Sequence, residues 1–203
     1  SGCYDPNDYT PASQFLWRSD DGGAHWSQVS QLPALAGDLA LAFPQNGPAP
    51  VLYAHLYQQY NPTLPATPGT GTPTPTSQTA QGDPGIIYSA DGGHTWQQAP
   101  ASGIANPSSD SRLYPNAATG PIGTLSDGSV LAVFPTKTLS FIIAAWKPGE
   151  KSWQPVTPEI AQTNQILSFF PVAGANGKLT FWAIIFTFDN SISILHYDQQ
   201  PGD

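Results

Sequence analysis

The sequence predicts an all-β chain built from repeated antiparallel sheets of four strands. Three observations lead there. The stretch Ser19-Asp20-Asp21-Gly22-Gly23-Ala24-His25-Trp26 returns as Ser89-Ala90-Asp91-Gly92-Gly93-His94-Thr95-Trp96. Each copy follows a short apolar run and precedes a polar, strand-compatible tail, which is the pattern of a β-hairpin with Asp-Gly-Gly at its tip. The composition is turn-rich and poor in charge, with 19 Gly, 22 Pro and only 10% charged residues among 203, so solubility rests on Gln, Asn, Ser and Thr. Runs such as Val130-Leu131-Ala132-Val133-Phe134 and Phe181-Trp182-Ala183-Ile184-Ile185-Phe186 are apolar at every position. Such strands suit a sheet covered on both faces, where a one-sided sheet would alternate.

Taken in order, residues 1–14 are polar and turn-rich, and a hairpin follows over residues 15–29. It reads as the outer two strands of a unit whose inner two are absent. In its turn Asp21 is expected to accept hydrogen bonds from its own backbone, the paired glycines permit positive φ, and Trp26 carries apolar area into the core. Strands are then predicted over Asp38–Phe43 and Val51–Leu56. A Pro/Thr-rich segment, 61–83, interrupts as an inserted loop, and Gly85–Ser89 with Thr95–Ala99 complete four strands. The plan repeats over Gly120–Leu125, Ser129–Phe134 and Leu139–Trp146. A hairpin at Lys147–Lys151, ending in Ser152-Trp153, then keeps the glycine and the tryptophan of the earlier turns but not the aspartate. Ile166–Val172, Lys178–Phe186 and Ser191–Tyr197 form a third unit. Because successive strands alternate in direction, the insertion 61–83 and the long connection 100–118 fall at the end of the sheets opposite the Asp-Gly-Gly turns.

The spacing Ser-x-Asp-x-Gly-x-Thr-Trp resembles the Asp-box, or BNR repeat, of the sialidase-like β-propellers. Ser89, Asp91, Gly93, Thr95 and Trp96 match it in full. Ser19, Asp21, Gly23 and Trp26 match with His25 in the place of Thr, which removes one hydroxyl hydrogen bond. The resemblance implies propeller blades of four antiparallel strands in a single domain over residues 1–203. About three and a half blades are accounted for, against the roughly 4 to 8 of closed rings, so the expectation is an incomplete ring. A second copy of the chain, as a homodimer, or the remainder of a longer chain would complete it. A two-sheet sandwich is the structural alternative. The motif recurs in hydrolases and in non-catalytic propellers alike, so it speaks for fold and not for activity.

A net charge of -8 argues against nucleic acid or an anionic membrane surface as partner, and no apolar run is long enough to span a bilayer as a helix. Cys3 is the sole cysteine, which excludes an intrachain disulfide. Ser1-Gly2-Cys3 fits the acylated tail of a bacterial lipoprotein signal, or else an ordinary thiol near a terminus. With no methionine at residue 1 the chain reads as processed or excised, and an extracytoplasmic or secreted location is expected.

For a sialidase, the resemblance implies three arginines around the substrate carboxylate, a Tyr–Glu nucleophile and an Asp acid/base. The chain offers Arg18 and Arg112, Glu150 and Glu159. Arg18 directly precedes the first turn, which leaves Arg112, with Asp110, Tyr114 and Tyr57, as the candidate ligand contacts on the expected binding end. Tyr53 and Tyr60 are further candidates for stacking on a sugar ring. A two-carboxylate glycosidase would draw on Asp38, Asp83, Asp110 and Asp189. The four histidines, His25, His55, His94 and His196, lack metal-ligand spacing, and neither a metal nor a cofactor is expected. The function expected is a non-catalytic extracytoplasmic binding or scaffold module for a carbohydrate or protein ligand. The alternative is an exo-sialidase-type glycoside hydrolase with part of its active site outside this chain.

Overall fold

A computed structural model of the chain describes residues 14–33, 36–43, 50–56, 85–100, 102–103, 118, 120–136, 140–160, 163–173, 178–187 and 189–199. Every regular element among them is a strand, and all pairing is antiparallel. Among the described residues no helix is long and apolar enough to cross a membrane. β1 (Phe15–Arg18) and β2 (Ser27–Gln31) form a two-stranded sheet. β3 (Ala36–Ala42), β4 (Val51–Leu56), β5 (Ile86–Ser89) and β6 (Gln97–Gln98) form a meander of four in sequence order. β7 (Ile122–Thr124), β8 (Val130–Pro135), β9 (Phe141–Trp146) and β10 (Gln154–Pro155) form a second. β11 (Thr163–Ala173), β12 (Leu179–Thr187) and β13 (Ile192–Asp198) form a sheet of three. The strands expected from the sequence are found within a few residues of their predicted bounds, and among the described residues no sheet closes on itself.

The sheets pack face to face. β8 sits in the middle and is buried along its whole length. Val130, Ala132 and Phe134 point to one side, where they join Ile142, Ala144, Trp146 and Trp153 against Ala42, Tyr53 and Ile86 of the preceding sheet. Leu131 and Val133 point to the other, joining Ile143 against Ile166, Phe169, Phe181 and Ala183 of the following sheet. A smaller cluster, Leu32, Ala54, Leu56 and Ile87 with Trp96, lies between the first hairpin and the β3–β6 sheet. The first strands of successive sheets stand side by side, β7 beside both β3 and β11. Thr124 Oγ1 donates to the Leu41 carbonyl at 3.1 Å, and Gly123 lies so close to Phe169 and Pro171 that a Cβ there would press on both side chains.

Two expectations are corrected at the ends of this stack. Trp26 does not enter the core: it is 61% exposed, whereas Trp153 is 1% exposed. Trp96 lies against the first hairpin, its Nε1 donating to Ser30 Oγ at 3.1 Å. Trp153 lies against the end of the β3–β6 sheet, its Nε1 donating to the Pro100 carbonyl at 2.8 Å. Trp26 belongs to the first sheet, and no described residue covers it in that way; its Nε1 turns back to the Gly23 carbonyl of its own turn. The second correction concerns Phe181–Phe186, which is covered on one face only. Phe181 and Ala183 are buried, while Trp182 is 49% exposed on the other side. Leu39, Leu41 and Phe43 are likewise exposed, on and just beyond the first strand of the β3–β6 sheet.

The two tryptophans make a paired test. Trp153→Ala removes a fully buried aromatic and is expected to cost about 3–5 kcal/mol. Trp26→Ala, in dilute solution, is expected to cost under about 1 kcal/mol because the ring is already in water. Urea unfolding of both variants checks the contrast, and equal costs would contradict the packing described.

Candidate functional site

The two repeated turns are built by one set of hydrogen bonds. In the second, Ser89 Oγ donates to Asp91 Oδ1 at 2.7 Å and accepts the Gly93 N–H at 2.8 Å. Asp91 accepts the Thr95 N–H at 2.9 Å and the Thr95 hydroxyl at 2.6 Å. The first turn repeats these contacts, with Ser19 Oγ to Asp21 Oδ1 at 2.8 Å, Gly23 N–H to Ser19 Oγ at 2.7 Å and His25 N–H to Asp21 Oδ1 at 2.9 Å. The hydroxyl bond expected to be lost at His25 is replaced, because His25 Nδ1 lies 2.5 Å from Asp21 Oδ2. The paired glycines take φ of 72° and 95° in the first turn and 75° and 94° in the second, the left-handed region that glycine enters without strain.

These bonds set the electrostatics of the turns. The His25 N–H first, then its ring and the Ser19 hydroxyl, draw the Asp21 carboxyl down from 3.8 to about 2. The Thr95 hydroxyl first, then its N–H and the Ser89 hydroxyl, lower the Asp91 carboxyl well below the ordinary carboxylate range. The third turn, between β9 and β10, has no aspartate and closes through its backbone. Glu150 N–H donates to the Lys147 carbonyl at 3.1 Å, and Trp153 N–H to the Ser102 carbonyl at 2.9 Å. Gly149 there has φ 97°.

Of the predicted ligand contacts, Arg112, Asp110, Tyr114 and Tyr57 lie outside the described residues, as do Tyr60, Asp83 and Cys3. Arg18 is described and lies beside the turns, its guanidinium 2.6 Å from Asp20. Tyr53 is no stacking platform. It is fully buried between sheets, with its hydroxyl on the Gly128 carbonyl at 2.7 Å, and burial first, then the charge of Asp127, pushes its phenol far above the ordinary value. Asp189 occupies the β12–β13 turn, where hydrogen bonds from Thr187 and Ser191 lower its carboxyl.

Asp38 is the candidate carboxylate that sits at the expected binding end within a packed environment. It pairs across the strands with His55, and the two side chains approach to 3.8 Å, the imidazole being 6% exposed. His55 Nε2 also lies 3.0 Å from the Ala118 carbonyl, tying β4 to the chain that leads into β7. Sequence reasoning found no metal-ligand spacing at His55, and its burial fits a structural role. It did not foresee the pair with Asp38, because a register shift between Ala36 and Asp38 decides which residue faces His55 and carries no sequence signal. Ser30, which holds both Trp96 and the Gly93 carbonyl, was missed for the same kind of reason. Among the described residues no group of His, Cys, Asp and Glu is placed to hold a metal ion.

A scan against protein-family models finds no match, and no curated protein matches the chain.

Two predictions follow from the turns. Ser89 is 1% exposed, so Ser89→Ala strands the buried Gly93 N–H and is expected to cost about 1–3 kcal/mol. Ser19→Ala, in an exposed turn, is expected to cost much less in the same denaturant titration. The carboxyls of Asp21 and Asp91 are lower folded than unfolded, so their contribution is complete above 3.8 and is lost as pH falls below it, toward about 2 at Asp21 and further down at Asp91,. The melting temperature should drop through that window, and the Asp91→Asn chain should drop less steeply than the parent. Identical acid profiles would rule out the assigned role of the carboxylate.

Proposed function

We propose that the chain is part of a β-propeller, an incomplete ring of sialidase-like blades, and serves as a non-catalytic binding or scaffold module outside the cytoplasm. The observation that carries the reading is the side-by-side placement of first strands, β3 to β7 to β11, with the sheets packed face to face. Strands that lead each sheet and neighbour one another in succession are the arrangement expected around a central axis. The two matching Ser-x-Asp-x-Gly turns, with their shared hydrogen bonds, support reading them as Asp-boxes. The ligand end is then the one from which 61–83 and 100–118 emerge, where Asp38 and His55 lie and where Arg112, Asp110, Tyr114 and Tyr57 are expected.

The supply of arginines favours binding over hydrolysis, and four described aspartates are unsuited to act as general acids. A general acid needs a carboxyl raised toward neutrality. The carboxyls of Asp21, Asp91, Asp127 and Asp189 are all lowered. At Asp127 burial acts upward, but the Ser129 hydrogen bonds and the Lys147 charge together outweigh it. These aspartates hold turns. Arg18, one of two arginines in the sequence, is engaged by Asp20, which leaves Arg112 as the one remaining arginine for a ligand carboxylate or phosphate. One arginine orients an anionic group but cannot build the three-sided clamp of a sialidase-type centre.

The test is incubation of the purified chain with a fluorogenic sialoside, alongside a glycan-array binding measurement. No turnover is expected, with ligand retention reduced by Arg112→Ala. Sialoside turnover by the chain alone, abolished by the same substitution, would replace the binding reading with the hydrolase.

A further inference from the structure

The two partial sheets at the ends of the stack are complementary. Within the four-stranded plan of β3–β6 and β7–β10, the first hairpin supplies a third and fourth strand, since its turn is of the kind that joins β5 to β6. The last sheet supplies a first, second and third. Among the described residues each holds positions that the other does not, and both hold a third strand. The exposed apolar side chains fall where this bookkeeping puts them. Leu39, Leu41 and Phe43 are 53%, 43% and 66% exposed on the face of the β3–β6 sheet where the first hairpin covers Ala54, Leu56 and Ile87 and leaves these three side chains in water. Two further strands, in the first and second positions of the hairpin's sheet, would lie over them. At the other end, the outward face of β11–β13 presents Phe170, Trp182, Ile192 and Ile194, which are 56%, 49%, 67% and 72% exposed. On the two internal sheets the equivalent faces are covered by the next sheet in the chain.

We infer that two copies of this chain dock head to tail, the last sheet of each lying beside the first hairpin of the other, and close one ring of six sheets. The inference rests on reading the sheets as propeller blades. The occupant is a second copy because the joint continues the interface already present twice within the chain, a leading-strand face packed on the next sheet. If the described part of one copy joined its own ends it would make three sheets, two complete and one joint, too few for a closed ring, whereas two complete sheets from each copy and two joint sheets fall within the roughly 4 to 8 of known rings,. β1 and β13 both stand third in their sheets, so each joint sheet has five strands, with β13 and β1 edge to edge and parallel. The outward face of β11–β13 then covers Leu39, Leu41 and Phe43 of the partner. The contact is heterologous, and repeating it twice satisfies both ends of both copies.

Light scattering on a size-exclusion column across a dilution series tests this. The expected mass is twice the 21.5 kDa of the chain, falling to the single-chain mass on dilution. Leu41→Asp and Ile194→Asp change opposite ends, and each should move the dilution midpoint by roughly tenfold or more, as loss of an apolar anchor does. If either aspartate variant fails to melt cooperatively, Leu41→Ser and Ile194→Ser take its place. A single-chain mass at every concentration overturns the pairing. So does a dimer abolished by Ile194→Asp but indifferent to Leu41→Asp, which would mean that the last sheets meet face to face, and so do masses beyond two chains, which would mean an open row of copies. None of these outcomes touches the sialoside and glycan measurements, which decide the binding reading separately.

Discussion

A strand of six residues, Val130–Pro135, that is buried from end to end can exist only if a sheet lies on each side of it. The rest of the arrangement follows from that requirement. β8 alternates its side chains between two clusters, so the sheet before it must present Tyr53 and Ile86 to one face and the sheet after it must present Phe169 and Phe181 to the other. Backbone ladders pair β8 with β9 along its whole length and with β7 over Val130–Ala132, which leaves its side chains free to be wholly apolar. Stability in such a row is close to a sum of each sheet and its contacts with its neighbours. The middle gains from two neighbours and each end from one.

The tryptophans show how the same residue type takes different roles along the row. Trp153 and Trp146 pack edge to face and tilted among Phe134, Tyr53 and Tyr88, contacts that add to plain area burial. Trp96 is half-committed, with its ring against the first hairpin and its N–H on Ser30. Trp182 stacks on His196 at 4.1 Å on the uncovered face of the last sheet. The gradient from buried to exposed follows position in the row and not the local sequence, which is nearly the same around Trp26 and Trp96.

That difference marks what was legible in the sequence. Strand order and the hairpin tips were, because alternation, glycine pairs and the aspartate are local signals whose physics is complete within eight residues. The turns form the bonds that the pattern implies, down to the matched φ values. The fate of Trp26 and of the outer face of β12 was not, since both depend on what lies across a sheet interface. The candidate site is harder still. The Asp38–His55 approach depends on a bulge, and the ligand contacts singled out from sequence, Arg112 foremost, belong to connections for which strand periodicity gives no geometry.

The third turn carries a wider consequence. Three chemistries close the same hairpin tip: a threonine hydroxyl at Thr95, an imidazole at His25 and backbone carbonyls around Gly149. What stays fixed is the left-handed glycine and the tryptophan that ends the turn. A search keyed to the aspartate and the hydroxyl therefore undercounts the units of a chain like this one, while a search keyed to glycine and tryptophan between paired strands counts them by what the packing requires. The aspartate is the replaceable part of its own signature.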